Sequence, residues 1–369
     1  MYLENLSLTF FKNYQECSLN FSQNINCILG PNGSGKTNLL DAIYYLSFTK
    51  SAFNVVEQQN IHHGQEFYSV RGSFRHSTKK TRVQCSFKSG EKKVVKKDGT
   101  PYQRISDHIG MFPVVLISPY DTDILRDGSS IRRKFMDVII SQLDPGYLQN
   151  LLKYQRTLLQ RNQLLKEFAS KQKFDAHLLA SYDQPLLVLG EKIAHRRFEF
   201  VQQFMPLFLD HYQTLCEASE SVSIQYKSEA LDSGFQQRFL NNHHRDLSLQ
   251  RTELGVHKDD LTCLLGDHLI RKIGSQGQQK SFVVALKLAQ FDLINLEKGF
   301  KPILLLDDIF DKLDDHRIGK LIEMVSGNRF GQIFITDARP ERTDRILETV
   351  DNEIKKIRVE QGHVAETND

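Results

Sequence analysis

The sequence predicts an α/β protein: a mixed sheet with helices, an antiparallel β part beside it, and an inserted α-helical arm. Three observations lead there. A glycine loop, Gly30-Pro31-Asn32-Gly33-Ser34-Gly35-Lys36-Thr37, lies between a short apolar run and a helical pattern. Strand and helix patterns alternate again in the last third of the chain, which implies a partly parallel sheet. Between about Ser130 and Glu217 the periodicity is helical.

The elements follow in order. Residues 1–11 partly alternate apolar and polar and read as a first strand, Lys12-Asn13-Tyr14 as its turn, and Cys17 to Phe21 as a second strand. Asn24 to Leu29 is apolar enough for a buried strand, and Asn38 to Leu46 has helical spacing. Runs at 67–74, 82–87 and 93–96 read as antiparallel strands with turns at Ser89-Gly90 and Asp98-Gly99. Phe112 to Ile117 is a continuous apolar strand. Helices are expected at 131–143, 147–170 and 185–217, the last bent at Pro206. Strand character returns at 221–226, 268–273, 303–306 and 332–336, with helices at 278–297 and 317–325, and the polar end, 366–369, is expected to fray.

The loop has the spacing G-x-x-x-x-G-K-[ST], and its residue types suit phosphate. Glycines at 30, 33 and 35 allow backbone N–H groups to approach phosphate oxygens where a Cβ would clash. Pro31, Asn32 and Ser34 complete the cradle, and the helix opening near Gly35 adds its positive end. Lys36 offers a point charge to the β and γ phosphates of ATP, and the Thr37 hydroxyl a ligand for the bridging Mg²⁺.

Far downstream, Ile303-Leu304-Leu305-Leu306-Asp307-Asp308 is an apolar strand ending in two acids. Carboxylates at the end of a buried strand are costly unless they face a cation or a donor. Asp307 therefore fits a Mg²⁺ ligand across from Thr37, and Asp308 a group that positions and deprotonates an attacking water. Ser275-Gln276-Gly277-Gln278-Gln279-Lys280 opens a long helix, where Ser275 either caps the helix or, with Gly277, forms a second anion site.

Composition sets limits. A chain of 369 residues can hold two or three domains, and its 48 basic and 45 acidic side chains nearly cancel, so net charge does not point to nucleic acid. Lys79, Lys80, Arg82, Lys88, Lys92, Lys93, Lys96 and Lys97 nonetheless crowd the antiparallel region, either to track DNA or to protect a sheet edge. Five scattered cysteines without a C-x-x-C pair support neither a disulfide framework nor a zinc site and fit a reducing cytosol. No apolar run approaches the roughly 20 residues that span a bilayer, and the N-terminus carries Glu4 and no basic leader, so a cytoplasmic protein is expected. His62-His63 and His243-His244 read as solvated pairs, His257 with Asp259 and Asp260 as either a site or a satisfied turn, and Arg132-Arg133 as either an interaction surface or internal ion pairs.

Several segments together resemble the bacterial RecF family of ABC and SMC-like ATPases, in collinear order over nearly the whole chain. They are the loop extended through Ser47, Pro119 to Asp137 ending in Arg132-Arg133-Lys134-Phe135-Met136-Asp137, Gly255 to Leu261, Ser275 to Lys280, and Leu305 to Asp308 with Leu313-Asp314. The resemblance implies an ABC-type P-loop ATPase head, 1–118 with 220–369, interrupted by a helical arm, 119–219. It implies weak, DNA-stimulated ATP hydrolysis and a homodimer that closes on DNA with two ATP molecules between phosphate loop and opposing Ser275. It further implies recombinase loading at gaps, a part in the SOS response, and RecR and RecO as partners. A scaffold switched by ATP with negligible hydrolysis is the alternative, and a transporter subunit is disfavoured by the absence of a Leu-Ser-Gly-Gly-Gln signature. The sequence departs from the family at Asp311-Lys312, at Asp127-Gly128-Ser129, and at Thr336-Asp337, where transporter ATPases place a histidine. Asp308 is a methylene shorter than the glutamate common in wider ABC enzymes, consistent with slow turnover.

Overall fold

A computed structural model describes residues 1–216, 220–309, 315–326, 329–347 and 353–367. They divide into two compact units: 1–121 with 211–217 and 280–369, and 122–210 with 218–279.

The first unit begins with antiparallel strands β1 (Tyr2–Phe11) and β2 (Tyr14–Asn20), then the fully buried β3 (Ile25–Leu29) and helix α1 (Lys36–Phe48). Strands β4 (Phe67–His76), β5 (Lys79–Lys88), β6 (Val94–Lys97) and β7 (Thr100–Pro101) extend the first pair into a sheet of order β2-β1-β4-β5-β6-β7. The Asp98-Gly99 turn works as expected: both residues have positive φ, the geometry a two-residue hairpin needs, and Asp98 Oδ1 accepts from the Arg82 N–H at 2.8 Å. Gly72 on β4 leaves room for Leu46 of α1, which a Cβ there would strike. Phe11, Tyr45 and Tyr68 pack edge-on between helix and sheet, and β8 (Val114–Ile117) closes this stretch of chain.

The second unit carries the helices α2 (Asp123–Arg126), α3 (Ser129–Leu143), α4 (Pro145–Lys171) and α5 (Ala176–Cys216), the last of which enters the first unit at His211. Asp144 caps α4, its carboxylate accepting from the Tyr147 N–H at 2.9 Å, with Pro145 in the first turn where no N–H is missed. The α5 helix starts nine residues before the expected Pro185 and holds both Pro185 and Pro206. A small sheet follows, β9 (Val222–Lys227) pairing with β10 (Asp260–Leu265), with α6 (Phe235–Asn241) and α7 (His243–Leu249) between them. Residues 218–279 group with 122–210 in the second unit. Here β9 hydrogen-bonds to β10 and β10 to β11, and among the described residues none of the three joins another sheet. The strand expected at 268–273 is corrected to β11 (His268–Leu269) and the single turn α8 (Ile270–Ile273), closed by the Gly274 N–H on the Ile270 carbonyl.

The chain then runs through α9 (Gln276–Lys298), β12 (Ile303–Leu306), α10 (Asp315–Ser326), β13 (Ile333–Asp337) and α11 (Pro340–Leu347). It ends in a hairpin, β14 (Ile354–Glu360) and β15 (His363–Thr367), that the sequence reading missed. These strands build a sheet of order β15-β14-β3-β13-β12-β8, parallel except for β15. Register sets Leu29 beside both Asp337 and Arg358, and Leu306 beside Ile117, so the carboxyl ends of β3, β13 and β12 lie along one edge. That edge is where an open parallel sheet places its ligand.

Candidate nucleotide site

The phosphate loop leaves β3 at Gly30 and enters α1 at Lys36. Gly30 is required by its neighbour: a Cβ there would run into the Val359 carbonyl of β14. Pro31, Asn32 and Gly33 form an exposed tip, while Ser34, Gly35 and Lys36 are buried. Gly33 and Gly35 have φ of 79° and 118°, in the region that favours glycine. The Lys36 ammonium lies over the loop and donates to the Gly30 carbonyl at 2.9 Å and the Pro31 carbonyl at 3.1 Å.

The two halves of the expected site meet. Thr37 Oγ1 donates to the two oxygens of Asp307, at 2.9 and 3.2 Å, across 270 residues of sequence. Asp307 is only 2% exposed, and burial raises its pKa although Thr336 and Thr37 hydrogen bonds pull the other way. The Thr336 hydroxyl donates to Asp307 Oδ1 and accepts from the Asp308 N–H, each at 2.9 Å. Asp308 has φ of 45°, a left-handed conformation that Asp tolerates better than most residues and that turns the chain sharply after β12. Two adjacent oxygen donors, a hydroxyl and a carboxylate, are the chemistry Mg²⁺ takes. Among the described residues no three His, Cys, Asp or Glu side chains cluster as a metal cage, and Mg²⁺ held between nucleotide and protein needs none.

Thr336 and Asp337 are assigned structurally. Asp337 closes β13 onto α11: its carboxylate accepts from Arg342 Nη2 at 2.6 Å, from the Thr343 hydroxyl at 2.8 Å and from the Arg339 N–H at 3.0 Å. Burial opposes its ionisation, yet these donors hold its pKa below the usual value.

Ser275 and Gly277 belong to the second unit, at the start of α9. Ser275 is exposed and forms a reciprocal cap: its Oγ accepts from the Gln278 N–H at 3.2 Å while Gln278 Oε1 accepts from the Ser275 N–H at 2.7 Å. The cap reading of this residue is therefore met, and an exposed hydroxyl keeps its own proton to donate. Asp311, Lys312, Leu313 and Asp314 lie outside the described residues.

Other candidates resolve as internal structure. Arg132 holds Asp260 with two bonds of 2.7 and 3.1 Å, and Arg133 donates to Ser129 Oγ and the Asp259 carbonyl. The Asp259 carboxylate accepts from the buried Arg197 at 2.8 Å and from the Tyr226 hydroxyl, and burial raises its pKa. His257 sits between Tyr154 Oη at 2.8 Å and the Thr252 carbonyl at 3.0 Å, and burial pushes its pKa down to about 4. Of the histidine pairs expected to be solvated, His244 is exposed, while His62 and His243 are partly buried and bonded, the first to the Lys12 carbonyl at 2.9 Å, the second to Asp183 at 2.9 Å. In the basic meander, Lys93 is not an edge residue; it is mostly buried and paired with Glu57, which also accepts from Tyr45 and Tyr68.

A sheet-edge loop with an apposed carboxylate defines a phosphate-loop ATPase head. The chain belongs to the RecF family within the RecF/RecN/SMC class: residues 2–364 match the family model described as "RecF/RecN/SMC N terminal domain". It is 47% identical to DNA replication and repair protein RecF of Flavobacterium johnsoniae over 349 residues, 95% of this chain and 97% of that protein. The structure of the recombination mediator protein RecF-ATP in the RecFOR pathway superposes with a TM-score of 0.88 at 28% identity, covering 99% of each chain. The Smc head bound to the C-winged helix domain of ScpA shares the fold, with a TM-score of 0.58 at 14% identity over 100% of this chain and 97% of that one.

Proposed function

We propose that this chain is an ATP-dependent DNA-binding protein of recombinational repair and replication restart. The carrying observation is the Thr37 to Asp307 contact, which sets a buried carboxylate against the hydroxyl that opens the loop helix. In this reading the loop N–H groups of residues 33–37 and the Lys36 ammonium take the β and γ phosphates of ATP. Lys36 already reaches two loop carbonyls and would exchange them for phosphate oxygens. Thr37 and Asp307 would hold Mg²⁺, which supplies positive charge to the phosphate oxygens when bound. Asp308, fixed through its N–H to Thr336, would orient the attacking water and accept its proton, supporting a weak ATPase stimulated by DNA.

Ser275 is assigned to the γ-phosphate held by a second copy, so that ATP drives homodimerisation on DNA at single-strand to double-strand junctions or gaps. RecR and RecO are the proposed partners, because the solved relative is described within the RecFOR pathway. No described helix is long and apolar enough to cross a membrane, and the proposed location is the cytoplasm.

Calorimetric titration with ATP and Mg²⁺ tests the site. Wild type should bind and Asp308→Asn should bind as well, since the amide keeps the size and loses only charge and basicity. Asp307→Asn should lose the Mg²⁺ dependence of binding. Equal Mg²⁺ dependence in wild type and Asp307→Asn would overturn the metal assignment.

A further inference from the structure

The phosphate loop is gripped from outside by two segments that carry no part of its motif. The Ser34 carbonyl accepts two hydrogen bonds, one from the Asn13 side-chain amide at 3.0 Å and one from the Gly362 N–H at 3.0 Å. Asn13 sits in the β1–β2 turn, and Gly362 in the turn of the C-terminal hairpin, 328 residues beyond Ser34. The next carbonyl, that of Gly35, accepts from the Tyr14 hydroxyl at 3.0 Å as well as from the Asn38 and Leu39 N–H groups of α1.

The turn that supplies Asn13 is itself immobilised. Asn38 of α1 donates to Asn13 Oδ1 at 2.7 Å, which fixes which end of the Asn13 amide faces Ser34. Lys12 makes a buried ion pair of 2.6 Å with Asp41, also on α1. Gly35 has no room for a side chain, since a Cβ there would strike Asn13 and Tyr14. On the other arm, Gln361 and Gly362 both have positive φ, as a tight hairpin turn needs, and a Cβ on Gly362 would stand 2.5 Å from the Asn13 carbonyl oxygen.

We propose that Asn13 and the Gly362 turn are positioning elements that aim the Gly35 N–H at nucleotide phosphate by fixing the Ser34–Gly35 peptide. A peptide is planar and trans, so its carbonyl and its N–H point in opposite directions. Two donors holding the Ser34 carbonyl outward therefore leave the Gly35 N–H directed away from both arms, toward the loop's concave side. A free loop would have to order that peptide on binding, at a cost in backbone entropy that two distant arms have already met in the folded protein. The C-terminal hairpin is on this account a component of the nucleotide site and not only an edge of the sheet.

This rests on the nucleotide reading above and deepens it. ADP affinity by calorimetry and thermal unfolding are measured for wild type, Asn13→Ala, Asn13→Asp, Gly362→Ala and the Asn13→Ala/Gly362→Ala pair. Each single variant should lower ADP affinity about five- to twentyfold, the scale of one or two lost hydrogen bonds. Asn13→Asp keeps the acceptor for Asn38 but replaces the donor to Ser34 by a charged acceptor, so it should be at least as defective as Asn13→Ala; Asn13→Ala adds no charge and decides the matter even if Gly362→Ala fails to fold. The pair should be no weaker than about twofold below the worse single variant, because both act through one peptide. Melting temperatures should shift by a few degrees at most. Wild-type affinity in Asn13→Ala, or losses that multiply in the pair, would overturn the proposal while leaving the nucleotide site standing. Failure of wild type to bind ADP would instead remove the nucleotide reading, and this proposal with it.

Discussion

Lys36 and His257 show how differently two polar residues of similar appearance in the sequence are used. Lys36 is buried, and its ammonium donates to two loop carbonyls, so on the proposed reading its charge serves a ligand more than the packing. Lys36→Met should lower ATP affinity by about 2 to 3 kcal/mol, roughly 30- to 150-fold, with little change in melting temperature; wild-type affinity in calorimetry would remove the residue from the site. His257 carries no such role. Burial keeps it neutral down to about pH 4 against an ordinary 6.5, so between those values the unfolded chain binds a proton that the folded chain refuses. Stability from this group is therefore lost as pH falls through that window, by at most about 3 kcal/mol. The buried carboxyl of Asp259 titrates in the opposite sense, so the comparison of interest is between proteins. His257→Gln should unfold in urea with a smaller difference between pH 7 and pH 5 than wild type shows, and an equal difference would place the pH dependence elsewhere.

At the scale of elements, the local patterns of β3, α1, α4, β12 and β13 carried their own identity. Loop, cap and apolar run are contiguous there, so sequence reading found the phosphate loop and Asp307 and expected Asp307 across from Thr37, where the structure puts it. What it missed was β10, taken for part of a polar motif, and the β14–β15 hairpin, whose Gln361-Gly362 turn follows the alternating Ile357 and Val359. Their importance comes from long-range pairing that periodicity does not encode. The basic meander divides the same way. Lys93 and Glu57 form a half-buried pair tied to α1 through Tyr45, whereas Lys92 is exposed and Lys96 and Lys97 lie near the sheet edge. Lys93→Ala should cost about 2 to 3 kcal/mol in thermal unfolding, because it strands the Glu57 carboxylate. Replacing Lys92, Lys96 and Lys97 together by Ala should spare stability and reduce the salt dependence of DNA binding by about two to three units of slope. An unchanged slope would return those three to edge protection.

For the whole molecule, ATP is proposed to act as a switch between one copy and two. The sequence reading placed Ser275 at a dimer contact through family resemblance, and among the described residues its hydroxyl caps α9. On the proposed reading, the γ-phosphate contact of Ser275 is completed only by a second copy. Sedimentation with ATP and Mg²⁺ tests this most directly. Asp308→Asn should accumulate as a dimer, since it keeps nucleotide and lacks the base for hydrolysis. Asp308→Asn/Ser275→Arg should remain a monomer with unchanged ATP affinity, because a long cation replaces the small hydroxyl proposed to reach the opposing γ-phosphate. A double variant that sediments as a dimer would show Ser275 to be a helix cap alone and would contradict ATP-driven closure through this residue.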